Sequence, residues 1–524
     1  MAVGVGVSAV AGLLGLIAVR GLAHFWPADV AVMGLADGSI VMGELVDVEY
    51  TDPASFEQAG GQDAGPIERW LVKTGNRRIN GPDFRWVLTA NVADTRFPSD
   101  VAVFERTEWG NAYGRISALY ENGVLVANGN HAWNEMQSRL ERVVELREEM
   151  TATQSTTIDP VNYKLERLRI ERRRHVLEGT PEAPGLAEEE RRLHATYREA
   201  ETRLRTLADA MRRDAVEIVI MDGRTLVQPL GDVIRVWQPN SMSVYDKLLH
   251  YMKSLGVFLT GEPREANTEG GIFPAIFGTV MMVLLMAIIV APLGVVAAVY
   301  LREYARQGLP VRLIRIAVNN LAGVPSIVYG VFGLGFFVYL VGGTIDDMFF
   351  PEAQPAPTFG TPGLIWASLT LALLTVPVVI VSTEEGLTRI PRSIREGSLA
   401  LGATKAETLF RLVLPVASPS ILTGIILAVA RAAGEVAPLM LVGVVKLAPA
   451  LPVDAIPPFI HLERKFMHLG FHIYDVGFQS PNVEAARPLV YATALLLIFI
   501  VIALNLAAIM LRSRLESRYE IVET

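Results

Sequence analysis

The sequence predicts an α-helical membrane protein with six membrane-crossing helices and, inserted after the first of them, a domain of β-strands plus a helical hairpin. Three observations lead there. The 524 residues are 51% hydrophobic and only 19% charged, with a mean hydropathy of +0.34, a balance that soluble domains rarely show. The apolar residues are gathered into runs, of which 271–301, 316–344, 353–383 and 488–511 hold no Asp, Glu, Lys or Arg, and each exceeds the roughly 20 residues that cross a hydrocarbon core. Between the run at 2–19 and the one at 271–301 stands a long polar stretch, patterned partly as strands and partly as helices.

The first run has no basic residues ahead of it and no small-x-small site before Trp26. Residues 1–26 therefore read as an uncleaved first membrane helix in preference to a removed signal peptide. Orientation comes from later loops. Loop 302–315 carries Arg302, Arg306, Arg312 and Arg315 against Glu303, whereas 345–352 carries Asp346, Asp347 and Glu352 and no base. The positive-inside rule puts the former in the cytoplasm and the latter outside. Loop 384–411, with five basic residues, and the tail 512–524 then fall inside, while the balanced loop 446–487 does not vote. Counting back, residues 27–270 are extracytoplasmic. The net charge of −8 and the absence of cysteine decide nothing, because a membrane protein's charges are partitioned by side.

Within the inserted domain, 27–240, the turns Asp37-Gly38, Asn122-Gly123 and Asp222-Gly223 are flanked by alternating apolar residues, the pattern of β-hairpins whose turn residues tolerate positive φ. The first and third turns align with each other: Val41 matches Leu226, Leu45 matches Leu230 and Val48 matches Val233, a weak internal repeat. Residues 133–215 form a helical insertion in this β module. There Leu193, Tyr197, Ala200, Leu204, Leu207 and Met211 follow a heptad seam, either packed on its own hairpin or offered to a partner as a coiled coil. Arg172, Arg173 and Arg174 belong to a solvated surface of mixed charge without interleaved aromatics, so no nucleic-acid patch is expected. Residues 241–270 are an external lead-in to a five-helix core, 271–511.

Enzymatic machinery is absent from the motifs. No Gly-Lys dipeptide occurs, so there is no Walker A loop, and any ATP that drives this protein binds elsewhere. Neither H-E-x-x-H nor G-x-S-x-G occurs. His461, His468 and His472 have partly helical spacing, but Phe466, Met467, Leu469, Phe471 and Ile473 stand among them. An amphipathic segment at the outer membrane interface is expected there, not a metal site; no metal or other cofactor is predicted.

Two features remain. The apolar run 412–445 is broken by Arg431 and Glu435, which a helix beginning near Ile421 would set on one face near the bilayer midplane. An arginine there costs about 2.5–3.5 kcal/mol on insertion scales. It is either neutralised by its pair or kept as a planar, bidentate contact for an oxyanion. The second is IPRSIREGSLALGATKAETLFRLVLP, 390–415, read as a short helix, a break at Gly402, a second helical stretch and a close at Leu414-Pro415.

That loop resembles the E-A-A-x-x-x-G coupling loop of the membrane subunits of binding-protein-dependent ABC importers. Arg395 and Glu396 open it, Gly402 and Ala403 follow six residues on, and Leu414 and Pro415 close it; Gly397 and Ser398 replace the family's two alanines. The string ARAAGEVAPL is similar to a helix of the PstA-type phosphate permeases, and NTEGGIFPAIFGTV, AVYLREYA and GVPSIVYGVFG also match. The resemblance covers roughly residues 240–515 and not the insertion.

The resemblance implies a type I ABC importer permease core in the cytoplasmic (inner) membrane of a bacterium. It implies phosphate as substrate, Arg431 and Glu435 on its pathway, and loop 384–415 as the contact with a cytoplasmic ATPase dimer of PstB type. It further implies a second, homologous permease of PstC type and a periplasmic phosphate-binding protein of PstS type. The chain itself is then a transport subunit and not an enzyme. An importer of sulfate or molybdate, or a membrane-anchored sensor or scaffold using the external coiled coil, are the alternative readings.

Overall fold

The computed structural model describes residues 2–51, 67–81, 83–182, 184–480 and 483–519. It resolves into a β-rich unit built on Leu22–Gly271 and a helical unit built on Met1–Gly21, Ile272–Ser480 and Leu489–Thr524.

The larger sheets of the β-rich unit share one plan. In the first, β1 (Val30–Leu35), β2 (Ile40–Thr51), β3 (Ile67–Lys73), β4 (Phe84–Leu88) and β5 (Val92–Arg96) lie antiparallel in the order β4-β3-β2-β1-β5. The second contains β6 (Val101–Arg106), β7 (Ala112–Glu121), β8 (Val124–Asn128), β9 (Asp214–Val219), β10 (Thr225–Pro229) and β11 (Val233–Trp237). Its order is β10-β9-β7-β6-β11, with β8 paired to β7. Replacing β1–β5 by β6, β7, β9, β10 and β11 converts one order into the other.

The correspondence extends to single residues. Ala31 faces Gly43 and Met33 faces Val41 in the first sheet; Ala102 faces Gly114 and Phe104 faces Ala112 in the second. The register of β2 slips between Leu45 and Asp47, and that of β7 between Ile116 and Ala118. A single 3₁₀ turn, Thr89–Asn91 or Leu230–Asp232, precedes the last strand of each. A Cβ on Gly43 would stand 2.1 Å from the carbonyl oxygen of Lys73, and one on Gly114 would stand 2.8 Å from that of Val219. Lys73 and Val219 occupy the same place in the two sheets, opposite Glu44 and Arg115.

The expected alignment of the Asp37 and Asp222 turns has the wrong register. The first joins β1 to β2 and the second joins β9 to β10, so they are different hairpins of the shared plan. Their common apolar offsets are those of any half-buried hairpin. The structural match pairs VAVM at 30–33 with VAVF at 101–104.

Three helices leave the second sheet between β8 and β9: α1 (Gly129–Thr153), α2 (Asp159–Glu178) and α3 (Leu186–Met211), with a π turn at Gln154–Ile158 joining the first two. Ala132, Met136, Leu140 and Val143 of α1 pack on Leu119, Val216, Ile218 and Leu230, each large aliphatic side chain contributing about 1.5–3 kcal/mol when fully buried. The seam of α3 packs against α1 and α2, with Leu193, Ala200, Leu207 and Met211 buried. At the root of the insertion Asp214 is fully buried and pairs with Arg139 at 2.6 Å, Arg142 at 2.9 Å and Arg213 at 3.0 Å. After β11 comes α4 (Val244–Thr260), started by a capping box of Ser243 and Asp246.

Among the described residues, six helices are long and apolar enough to cross a membrane: Val3–Ala23, Phe273–Tyr304, Ser326–Phe349, Leu364–Arg389, Lys405–Gly434 and Ala486–Arg514, called spans 1 to 6. Span 4 is central, with 67% of its apolar window buried against 0% for span 1 and 6% for span 6. Its Leu371, Leu374 and Val379 form one core with Met282, Met286 and Val290 of span 2 and Ala428 and Ala432 of span 5. The outward residues of spans 1 and 6, such as Val3, Leu13, Phe499 and Leu506, are apolar, as lipid requires and water does not.

Candidate functional site

Two features flank span 5, one before its start and one at its end. Before it, α5 (Arg392–Ala400) begins after Pro391 and stops before Gly402, whose φ of +88° suits glycine. Thr404 then starts the next helix through a capping box with Glu407. The sequence predicts that Leu414 and Pro415 close the loop, and they do not. They lie inside one continuous helix from Lys405 to Gly434, where a π turn at Leu409–Val413 directly precedes the proline and the backbone donor that its ring removes.

No residue of α5 is buried. Ile394 and Leu399 are exposed, and Leu401 just beyond is 91% exposed. Glu396 and Gly402 face solvent and Ala403 is half-buried. Polar contacts, not packing, therefore hold this helix. Arg395 donates to the carbonyl oxygens of Leu387 at 2.7 Å and Ile390 at 3.1 Å, and pairs with Glu303 at 3.1 Å. Lys405 donates to the carbonyl oxygen of the same Glu303 and stands 4.7 Å above the ring of Tyr304. The hydroxyls of Ser398 and Thr408 lie 2.9 Å apart. In the sequence Glu303 is only the lone acid of a basic loop; its place at the hub depends on tertiary contact.

At the other end of span 5, Arg431 and Glu435 do meet, Nε to carboxylate at 3.6 Å, with both side chains partly buried. They do not share a helix. The helix stops at Gly434 and Glu435 is extended, at φ −79° and ψ 132°, because glycine weakens the helix and Pro438 follows soon after. The helix also starts at Lys405, not near Ile421. Arg431 therefore lies roughly 39 Å along the axis at about 1.5 Å per residue, toward the far end of span 5 instead of its middle. An arginine in the last turn faces the negative end of the helix dipole. Among the described residues, the guanidinium has Glu435 as its one ion-pair partner, met through Nε, which leaves its terminal donors uncommitted.

The chain after Glu435 packs back into the helical unit. Val445 N–H donates to Phe466 O, Phe466 N–H to Gly443 O, and Leu364 N–H to Arg464 O. The expected amphipathic segment at the membrane interface is not there: Phe466, Met467, His468, Leu469 and His472 are all buried. Leu469 N–H donates to Thr279 Oγ1 of span 2 at 2.9 Å, and His468 accepts from Gly470 N–H at 3.1 Å. Burial pushes the His468 ring down to about 4, so it is neutral. His461 sits between Asp454 and Glu463, 3.1 Å from each. Among the described residues no group of His, Cys, Asp or Glu is arranged to hold a metal.

These features define a multi-pass helical membrane protein with a braced, solvent-facing helix before span 5 and an arginine–glutamate pair at that span's end. Residues 290–521 match the family described as "Binding-protein-dependent transport system inner membrane component". The chain is 36% identical over 245 residues to "Phosphate transport system permease protein PstA 1" of Mycobacterium tuberculosis, an overlap that covers 46% of this chain and 71% of that protein. It is 30% identical over 302 residues to "Probable phosphate transport system permease protein PstA" of Methanocaldococcus jannaschii, covering 56% of this chain and 92% of the relative. A solved structure of the MetNI methionine ABC transporter aligns with 46% of this chain and 94% of its own at 19% identity and a TM-score of 0.34. The chain belongs to the inner-membrane components of binding-protein-dependent transport systems, and among these to the PstA-type phosphate permeases.

Proposed function

We propose that this chain is the membrane-spanning permease subunit of an ATP-driven importer of inorganic phosphate, with residues 27–270 on the outer side of a bacterial cytoplasmic membrane. The observation that carries the reading is Arg431. Its guanidinium keeps a fork of donors uncommitted, as a tetrahedral oxyanion needs, in a chain 36% identical to a phosphate permease over 245 residues. Glu435 orients the guanidinium and offers an acceptor to an anion that still carries a proton, as phosphate does near neutrality.

In this reading the chain performs no covalent chemistry and needs no cofactor. A cytoplasmic ATPase dimer of PstB type grips the exposed apolar residues Ile394, Leu399 and Leu401, with Glu396 and Gly402 in the same contact. A second permease of PstC type completes the pathway, and a periplasmic binding protein of PstS type delivers the ion. Closure of the ATPase pair draws α5 with it and switches the pathway between its two openings.

The test is uptake of labelled phosphate by vesicles holding the full complex. Arg431→Lys keeps the charge but loses the planar fork, and should cut uptake at least tenfold, the equivalent of about 1.4 kcal/mol. Unchanged uptake would remove Arg431 from the pathway, and transport of sulfate or molybdate in preference to phosphate would reassign the substrate.

A further inference from the structure

Helix α4 is amphipathic in the reverse sense to a helix on a soluble domain. Its polar side faces the protein. Lys247 pairs with Asp29 at 2.5 Å, Ser254 accepts from Arg235 at 3.2 Å, and the His250 ring lies 4.6 Å from that of Trp237. Its apolar side faces out: Val244, Tyr245, Leu248, Leu249 and Met252 are each at least 50% exposed. At about 100° per residue these five fall on one arc of roughly 140°. Lys253 and Asp246 are exposed at its polar rim. Water is a poor neighbour for such a face.

The chain indicates what covers it. Phe25 and Trp26 come one residue after Ala23, the last residue of span 1, and pack on the inner side of α4, Phe25 on Phe258 at 4.9 Å and Trp26 on Tyr251 at 6.2 Å. In the other direction α4 ends at Thr260, shortly before span 2 begins at Phe273. The middle and the C-terminal part of the helix are thus held to segments that enter the membrane. Trp26 and Tyr245, both exposed, are the residue types that settle at the level of lipid headgroups.

We propose that α4 lies in the plane of the membrane surface, its Val244, Tyr245, Leu248, Leu249 and Met252 face sunk among lipid acyl chains and its polar side holding the β-rich unit. The partner is lipid, not a second protein. The inference depends on the spans crossing a membrane and is independent of which anion the protein carries.

The absence of cysteine makes the test direct. Single cysteines at Leu248, Leu249 and Met252, and at Lys253 as the rim control, are introduced into the full chain, labelled with a nitroxide and reconstituted in vesicles of phosphatidylethanolamine and phosphatidylglycerol. Spin relaxation is measured with oxygen, which concentrates in acyl chains, and with a water-soluble nickel chelate. Oxygen should dominate at the three apolar positions and the chelate at Lys253. Dominance of the chelate at all four would place the face in water, and low accessibility to both agents at the three would mean that protein covers it; either outcome overturns the proposal. Three independent exposed positions keep the test decisive if one variant inserts poorly.

Discussion

Glu303→Gln is the substitution that bears most directly on how α5 is held. It preserves the shape of the side chain and the backbone carbonyl that Lys405 uses, and removes only the charge facing Arg395. That contact is 3.1 Å long between side chains 16% and 18% exposed, so it is largely shielded from solvent, and a hydrogen bond to a charged group in such a setting contributes about 1.5–3 kcal/mol. Arg395 keeps its two carbonyl acceptors, which favours the lower end. A loss of about 1.5 kcal/mol multiplies the population of detached α5 roughly tenfold. Amide hydrogen exchange across 392–400 in the full chain should accelerate by that factor, and under the proposed coupling to an ATPase, phosphate moved per ATP hydrolysed by a reconstituted complex should fall while hydrolysis continues. A cycle with Arg395→Gln separates the pair from its parts. If the two substitutions simply add, with no coupling energy, the pair is not the brace, and the reasoning from burial and distance is refuted.

Two further outcomes test the β-rich unit. Gly43→Ala and Gly114→Ala should each lower its unfolding midpoint by the equivalent of about 1–3 kcal/mol, because each new methyl meets a backbone oxygen at 2.1 or 2.8 Å; a neutral result at either would break the equivalence of the sheets. Burial raises the carboxyl of Glu269 from 4.5 to about 7, so the native state holds that proton more tightly than the unfolded chain. Its contribution is fully present below about pH 4.5 and is lost as pH rises through 7. Glu269→Gln should therefore stabilise the unit by about 2–3 kcal/mol at pH 8 and leave it unchanged at pH 4, as followed by thermal unfolding at both values. His250, held down at about 4, acts in the opposite direction in parent and variant alike and cancels from the comparison.

The parts of this protein written in residue type were legible from sequence. A charge-free run longer than a bilayer is thick admits few interpretations, and Arg431 stands out because its surroundings are apolar. The break at Gly402 between two helical stretches was also legible, and the structure places it there with a positive φ. Features that depend on where a helix ends were not legible. Gly434 and Pro438 were visible, but whether glycine stops a helix is decided by the contacts beyond it, here the return of 443–466 against the spans. The same ambiguity moved the start of span 5 from Ile421 back to Lys405, since a proline after a π turn does not interrupt a helix as an isolated proline does.

Two amphipathic segments show why periodicity alone misleads. Residues 461–473 and 244–260 both mix apolar residues with histidine and charge, and the former looked more like a segment for the membrane interface. A pattern records that a segment has two faces; it does not record which face meets the protein. That choice falls to the polar groups, because an unsatisfied buried donor or acceptor costs about 1–3 kcal/mol. In 461–473, Asp454 and Glu463 satisfy His461 while Thr279 Oγ1 and Gly470 N–H engage the buried backbone and ring at 468–469, so most of the segment is drawn inward and Lys465 stays exposed. In α4 the polar side finds Asp29 and Arg235, which leaves the apolar side outward, a stable arrangement only where the surrounding medium is itself apolar.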